Sequence, residues 1–225
     1  MNLKKCLGNL LFITIIFCQL IYNESHASSN LEEILKREKL SSSDVKTVQK
    51  ILADKPGESI RSFLSVIKNN EFPDRSRWLS LVLVGKTMGT KSSDLMVKYL
   101  SHPNWMIRSA AIKSLKSLKI VYPIKEYRQL LTDRSYVIRE QVLDTISILK
   151  ISGMKMDVLK MLGDSSNYIN TKSGIKPSEV VKKIISTLSS LKVKEAIPAL
   201  RKLQSSSMGK GIRDDINQAI KNIIL

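Results

Sequence analysis

An all-α fold, a right-handed α–α solenoid of about five short helix pairs, is what this sequence predicts, and three observations predict it. One unit occurs twice, at His102–Leu118 and again at Asp133–Leu149. The pairs Ile107-Arg108 and Ile138-Arg139 lie 31 residues apart, and each Arg is followed by apolar residues at +3, +4, +7 and +10. Those residues are Ala111, Ile112, Leu115 and Leu118 in one copy, and Val142, Leu143, Ile146 and Leu149 in the other. Such spacing makes one stripe on a helix, and a fixed period of this length marks stacked helical repeats. No sustained alternation of apolar and polar residues argues for a sheet.

The N-terminus reads as a targeting segment. Lys4 and Lys5 precede an apolar run from Leu7 to Ile21, and Ser25-His26-Ala27 puts small residues at −3 and −1 of a cut before Ser28. Basic, apolar and small-residue regions in that order make a cleavable secretory signal over residues 1–27. A retained anchor is the other reading, but the run is short for a span of about 20 residues. Bulky Ile16 and Phe17 before Cys18 argue against a lipid attachment there. Cleavage leaves 198 residues without cysteine and a formal charge of +16, down from +17. An exported chain without disulfides must be stabilised by its apolar core. The expected location is the periplasm or the extracellular space.

Taken in order, residues 28–56 form an N-terminal helical cap: a short helix over Leu31–Lys39, then one entered at Ser41–Asp44 and broken by Pro56-Gly57. Residues 57–225 form the repeats, each a helix A, a turn and a helix B. The A helices are placed near Glu58–Lys68, Ser93–Leu100, Ile124–Leu131, Lys155–Leu162 and Glu195–Gln204. The B helices are placed near Arg75–Met88, Asn104–Lys119, Ser135–Lys150, from Val181 to Leu191, and from Gly209 to Ile224. The fourth B helix is interrupted by about 11 residues near 165–177, where Gly174 and Pro177 oppose a helix interior. That insertion is either a loop carrying function or a surface loop without fixed structure.

The units at Asn104–Lys119, Ser135–Lys150 and Gly209–Ile224 resemble HEAT repeats of the short bacterial type. The resemblance covers residues 58–225 and implies a ladder between successive repeats, from an Asp in the A–B turn to an Arg early in helix B. On this sequence the Asp positions are Asp74, Asp133 and Asp164, with Asn104 in the second repeat; the Arg positions are Arg77, Arg108, Arg139 and Arg213. Asn170 stands where the fourth Arg would be, which would interrupt the ladder. The arginines are expected to be structural hydrogen-bonding groups between repeats.

Catalytic patterns are missing. His102, the one histidine of the mature chain, precedes Pro103 and fits a turn or cap. A lone His without Cys cannot make an ordinary zinc site. The abundant serines have no base placed by motif, and Gly209-Lys210-Gly211 lacks the strand–loop–helix context of a phosphate loop. No enzyme activity, metal or cofactor is expected, and a small-molecule substrate is not expected either. Trp78 and Trp105 are read as packing or repeat-junction residues.

Charge carries the functional signal. Residues 91–128 and 172–202 each have a net charge of +6. This surface either only aids solubility or forms a groove or ridge for an acidic partner, and the extended face of a solenoid favours the second reading. The candidate partner-binding residues are Lys113, Lys116, Lys119, Tyr168, Lys172, Lys176, Lys182 and Lys183. The expected function is a protein-binding scaffold of the bacterial envelope with an acidic protein or envelope component as partner. Anionic membrane or acidic polymer is the first alternative. Nucleic acid is the second, ranked lower because few aromatics lie near the charges.

Overall fold

The computed structural model describes residues 30–171, 174–205 and 210–225, with the backbone alone for 170–171 and 174–176. The predicted leader at 1–27 therefore lies outside the described residues. The chain packs as two compact units that divide after Thr87.

The first unit contains α1 (residues 30–35), α2 (Ser42–Asp54), α3 (Pro56–Lys68) and α4 (Asp74–Met88). Leu31, Ile34 and Leu35 of α1, Val48 of α2 and Phe63, Val66 and Ile67 of α3 are buried. α1 stops four residues short of the predicted Lys39, because Lys36 to Lys39 offer no apolar side chain to the core. Arg37 instead reaches Asp44 at 2.6 Å. Ser41 and Asp44 cap α2 reciprocally: Ser41 Oγ accepts from Asp44 N at 3.1 Å, and Asp44 Oδ2 accepts from Ser41 N at 2.8 Å. The bond from the Ser41 amide is the first reason the Asp44 carboxyl is held below its ordinary range. Pro56, which ends α2 in the sequence reading, is the first residue of α3, where its missing N–H costs nothing.

The second unit is a helical-repeat stack. Its A helices are α5 (Ser93–Tyr99), α7 (Ile124–Leu130), α9 (Lys155–Lys160) and α11 (Ile197–Ser205). Its B helices are α6 (Trp105–Ser117), α8 (Tyr136–Ile148), α10 (Glu179–Ser190) and α12 (Lys210–Ile224). Each A helix packs on its own B helix, and α6, α8, α10 and α12 pack side by side in that order. Helices of 6 to 15 residues cannot bury enough surface alone, so the core is shared between neighbours. The +3, +4 and +7 positions supply it: Ala111, Ile112, Leu115, Val142, Leu143, Ile146, Ile184, Ile185 and Leu188 are all at most 1% exposed. Leu118 and Leu149 at +10 lie at the margin, half-buried.

Three B helices end alike. Lys119, Lys150 and Lys192 take the left-handed conformation, with φ of 57°, 52° and 54°. The next amide closes the turn, Ile120 N on Leu115 O at 2.9 Å, Ile151 N on Ile146 O at 3.0 Å and Val193 N on Leu188 O at 3.1 Å. This is the Schellman arrangement with Lys where Gly is usual. After α4 the equivalent position is Gly89, φ 57°.

The interruption in the fourth repeat is an antiparallel hairpin, β1 (Tyr168–Thr171) with β2 (Gly174–Pro177), pairing Tyr168 with Pro177 and Thr171 with Gly174. The sequence reading foresaw no strand. Two strands of 4 residues are too short to show an alternating pattern.

Ile146→Ala should therefore lower unfolding free energy by about 2–5 kcal/mol, the range for a large side chain removed from a packed core. Leu118→Ala at the half-buried margin should cost clearly less. Urea denaturation of the two variants against the parent chain checks the ranking.

Candidate protein-binding face

The A–B turns of the second unit hold buried guanidinium groups. Arg108 is 6% exposed; it donates to His102 O at 2.8 Å and Pro103 O at 2.9 Å, and pairs across the repeat boundary with Asp133 at 2.8 Å. Asp133 Oδ1 also accepts from Ser135 N at 2.8 Å, so one carboxylate orders its own turn and receives the neighbour's arginine. Arg134 returns the contact, donating to Pro103 O at 3.2 Å. His102 Nδ1 accepts from Asn104 N at 3.1 Å, a turn role.

The next rung is displaced. Arg139, 4% exposed, donates to Ser166 Oγ at 2.9 Å and Asn167 Oδ1 at 2.6 Å. Asp164, the position implied for that rung, instead accepts from Ser166 N at 2.9 Å; this backbone bond is the main cause of its lowered pKa. Asn167 is fully buried, donates from Nδ2 to Met161 O at 2.9 Å and accepts at its own carbonyl from Ser178 Oγ at 2.6 Å. It thus ties the α8 arginine, the end of the A helix and the entry to α10 at the base of the hairpin. Sequence reasoning missed it because its side chain is neutral and it sits three residues from the expected slot. Arg77 in the first unit stays local, with Ile67 O at 3.1 Å and Asp74 at 3.3 Å. Arg213 is exposed on α12 and makes no ladder contact among the described residues.

The B-helix row presents the candidate lysines. Lys113 on α6 and Lys119 after it are exposed. Lys116 on α6 and Lys183 on α10 converge on Asp144 of α8 from its two sides, at 3.0 and 3.1 Å. Lys182 pairs with Glu179 one turn away at 2.6 Å. Partial burial raises the Asp144 pKa, but the hydrogen bonds from Lys116 and Lys183 outweigh it and the carboxyl is held below its ordinary value. Lys150 Nζ reaches Ser190 O at 2.9 Å and Ser190 Oγ at 2.6 Å, and Lys192 Nζ donates to Asn222 O. Each of these lysines therefore bonds the last turn of the next B helix, where backbone carbonyls favour a cation. The signal was present as Leu-Lys-Ile at 118–120 and 149–151 and Leu-Lys-Val at 191–193.

Tyr168 is half-buried and donates to Leu162 O at 2.7 Å. Lys176 lies on β2 with its side chain outside the described residues, as is all of Lys172. Trp105 opens α6 beside the turn and is 44% exposed, outside the core. A cavity of about 690 Å³ opens on the row, lined from α8, α10 and α12 by Glu140, Glu179 and Asp215 together with Lys150, Lys182 and Lys183. Ser186 and Ser189 of α10 also line it. Among the described residues no group of three or more His, Cys, Asp or Glu could hold a metal ion, and no helix is long and apolar enough to cross a membrane.

No protein-family model matches this chain, and no curated protein matches it. Solved structures do. The complex of CpcE and CpcF of the phycocyanin lyase of Nostoc sp. PCC7120 is 13% identical with a TM-score of 0.57. That match covers 73% of this chain and 64% of that one, so this chain spans under two thirds of its length. An engineered protein is 15% identical with a TM-score of 0.55, covering 89% of this chain and 90% of its own. A designed armadillo repeat protein in complex with the peptide (KR)4 is 13% identical with a TM-score of 0.53, covering 87% and 92%. At such identities the likeness is one of fold: an all-α repeat solenoid.

Arg108→Ala should destabilise the chain by about 3–5 kcal/mol, because it strands a buried carboxylate, and thermal melting measures it. Asp144→Asn should cost much less, about 0.2–1 kcal/mol at neutral pH and low salt, since the bridge is partly exposed and screened. The Asp144 pKa is lowered in the folded chain, so its contribution is present above the unfolded carboxylate value of about 3.9 and is lost as pH falls through the folded one. Melting curves of parent and Asp144→Asn should accordingly converge in acid.

Proposed function

We propose that this chain is a non-enzymatic protein-binding scaffold of the HEAT-like type, exported to the bacterial envelope, whose B-helix row receives an acidic partner. The observation that carries the reading is the row itself: α6, α8, α10 and α12 present one extended surface on which side chains of consecutive repeats act together. A net charge of +17 favours an acidic partner. Lys113, Lys119 and Lys182 are the exposed lysines of the row, Lys182 in an ion pair with Glu179, while Lys116 and Lys183 are held on Asp144. The peptide held by the designed armadillo neighbour lends support to a polypeptide ligand, of opposite sign here.

The test is affinity capture from envelope extract over a salt series. A defined protein retained at moderate salt supports the scaffold, and the triple variant Lys113→Glu, Lys119→Glu, Lys182→Glu should lose it with little change in melting. Retention of anionic vesicles or polyanions instead, with steep loss on adding salt, overturns the reading in favour of a charge-driven surface binder.

A further inference from the structure

The hairpin in the fourth repeat leaves a strand edge whose backbone groups point away from the ribbon. Its hydrogen-bond register follows from Ser178 N, which donates to Asn167 O at 3.2 Å and so makes 167 and 178 a bonded pair. Bonded and non-bonded pairs alternate along an antiparallel ribbon. Tyr168 with Pro177 and Asn170 with Ile175 are therefore the non-bonded pairs, and Ile169 with Lys176 and Thr171 with Gly174 the bonded ones. Residues of non-bonded pairs turn their N–H and C=O outward. On β1 these groups are the C=O of Tyr168 and the N–H and C=O of Asn170, since the Tyr168 N–H donates to Ser165 O.

The two edges differ. β2 carries Lys176 and Pro177, residue types that block edge pairing, and α10 packs against it. β1 has neither a charge nor a proline, and its Ile169 is 50% exposed. The ribbon is also anchored at its base. Buried Asn167 accepts from Arg139 at 2.6 Å and donates to Met161 O at 2.9 Å. Ser178 bonds Asn167 O through both its N–H and its hydroxyl, and Tyr168 Oη donates to Leu162 O at 2.7 Å. An edge held in place beforehand loses little freedom when a ligand covers it.

Backbone chemistry selects the ligand. Outward groups on alternate residues match another extended chain, which turns its own N–H and C=O to one side at every second residue. A helix bonds those groups internally and does not meet them. Across from Ile169, an apolar residue of the added strand makes the favourable cross-strand pair. Charge disfavours a second copy, because each chain carries +17. Residues 168–177 include Lys172 and Lys176 and no acidic residue. The nearest acids in sequence are engaged, Asp164 with Ser166 N and Glu179 with Lys182. An acidic strand complements this segment.

We propose that the outer edge of β1 takes an extended, acidic segment of a partner protein as a third strand, with an apolar side chain against Ile169. The proposal rests on the protein-binding reading above and adds a backbone-mediated contact to it.

The probe is a fluorescently labelled heptapeptide of alternating Glu and Val, titrated with the full chain and followed by anisotropy. Saturable binding is expected. Asn170→Pro removes an outward N–H but no bond of the ribbon, and should weaken binding at least about fivefold, as for one lost hydrogen bond. Asn170→Ala keeps that N–H and should bind as the parent does. The same peptide N-methylated at every residue keeps its charges and side chains and should not bind, an arm that stands even where Asn170→Pro disturbs the hairpin. The proposal is overturned if the unmodified peptide fails to bind, if the N-methylated peptide or a Lys-Val heptapeptide binds as well, or if Asn170→Pro binds normally. A dimer of the parent chain in sedimentation that Asn170→Pro abolishes would overturn it in favour of a second copy. Capture of an envelope protein by Asn170→Pro at the parent's level would sink this edge while leaving the scaffold reading standing.

Discussion

Two guanidinium groups almost wholly removed from water dictate how the repeats of the second unit stack. Burying a cation costs several kcal/mol unless its donors find partners. Arg108 finds Asp133, and Arg139 finds Ser166 and Asn167, each on the following repeat. Neither arginine gains these partners until the next helix pair docks in register, so the loss of them falls on any slipped or partly assembled stack. Apolar stripes such as Val142, Leu143 and Ile146 supply the driving force but tolerate sliding; the arginines forbid it. The B helices are fastened at their other end as well, where Lys150 and Lys192 bond the last turns of α10 and α12.

Much of the basic excess follows from the same architecture. Lys68, Lys86, Lys98, Lys116, Arg128, Lys160, Lys202 and Lys221 all stand in the last turn of a helix. Asp44, Glu58, Asp74, Asp94, Glu126, Asp157 and Glu179 stand in first turns. Charges of these signs at these ends complement the helix dipoles. A chain of many short helices has many ends, and part of its charge is accounted for there before any partner is considered. Lys113, Lys182 and Arg134 are exposed cations outside this scheme.

The helix pairs were legible because a stripe repeating at 31 residues is a strong pattern, and Arg108 with its Asp133 partner lies within it. The fourth rung was not. Its sequence contains a suitable Asp164, but the hairpin re-routes the chain so that neutral Asn167 occupies the place facing Arg139. Periodic reasoning assumes constant geometry, and an insertion breaks that assumption where it occurs. The Asp144 bridge was hidden for a different reason: Lys116, Asp144 and Lys183 are 28 and 39 residues apart and follow no motif. The exposure of Trp105 was not legible either, because an aromatic at a helix start fits packing and a repeat junction equally well.

The two ends of the B-helix row are therefore not equivalent. At the C-terminal end Lys150 and Lys192 are already bonded to carbonyls of the neighbouring helix, so a ligand there would have to compete with bonds the fold has made. At the N-terminal end the terminal nitrogens of Arg108 and Arg139 are bonded within the turns, while Arg134 and the outer surfaces of Trp105 and Tyr136 remain in solvent. Rigidity and exposure coincide there, because the contacts that fix the stack also brace Tyr136 from behind. A binding surface needs both properties: groups held in place before the ligand arrives, and surface left for it to cover. The edge of the A–B turns combines them, and the hairpin that displaces the fourth rung begins on that same edge, at Tyr168 and Ile169.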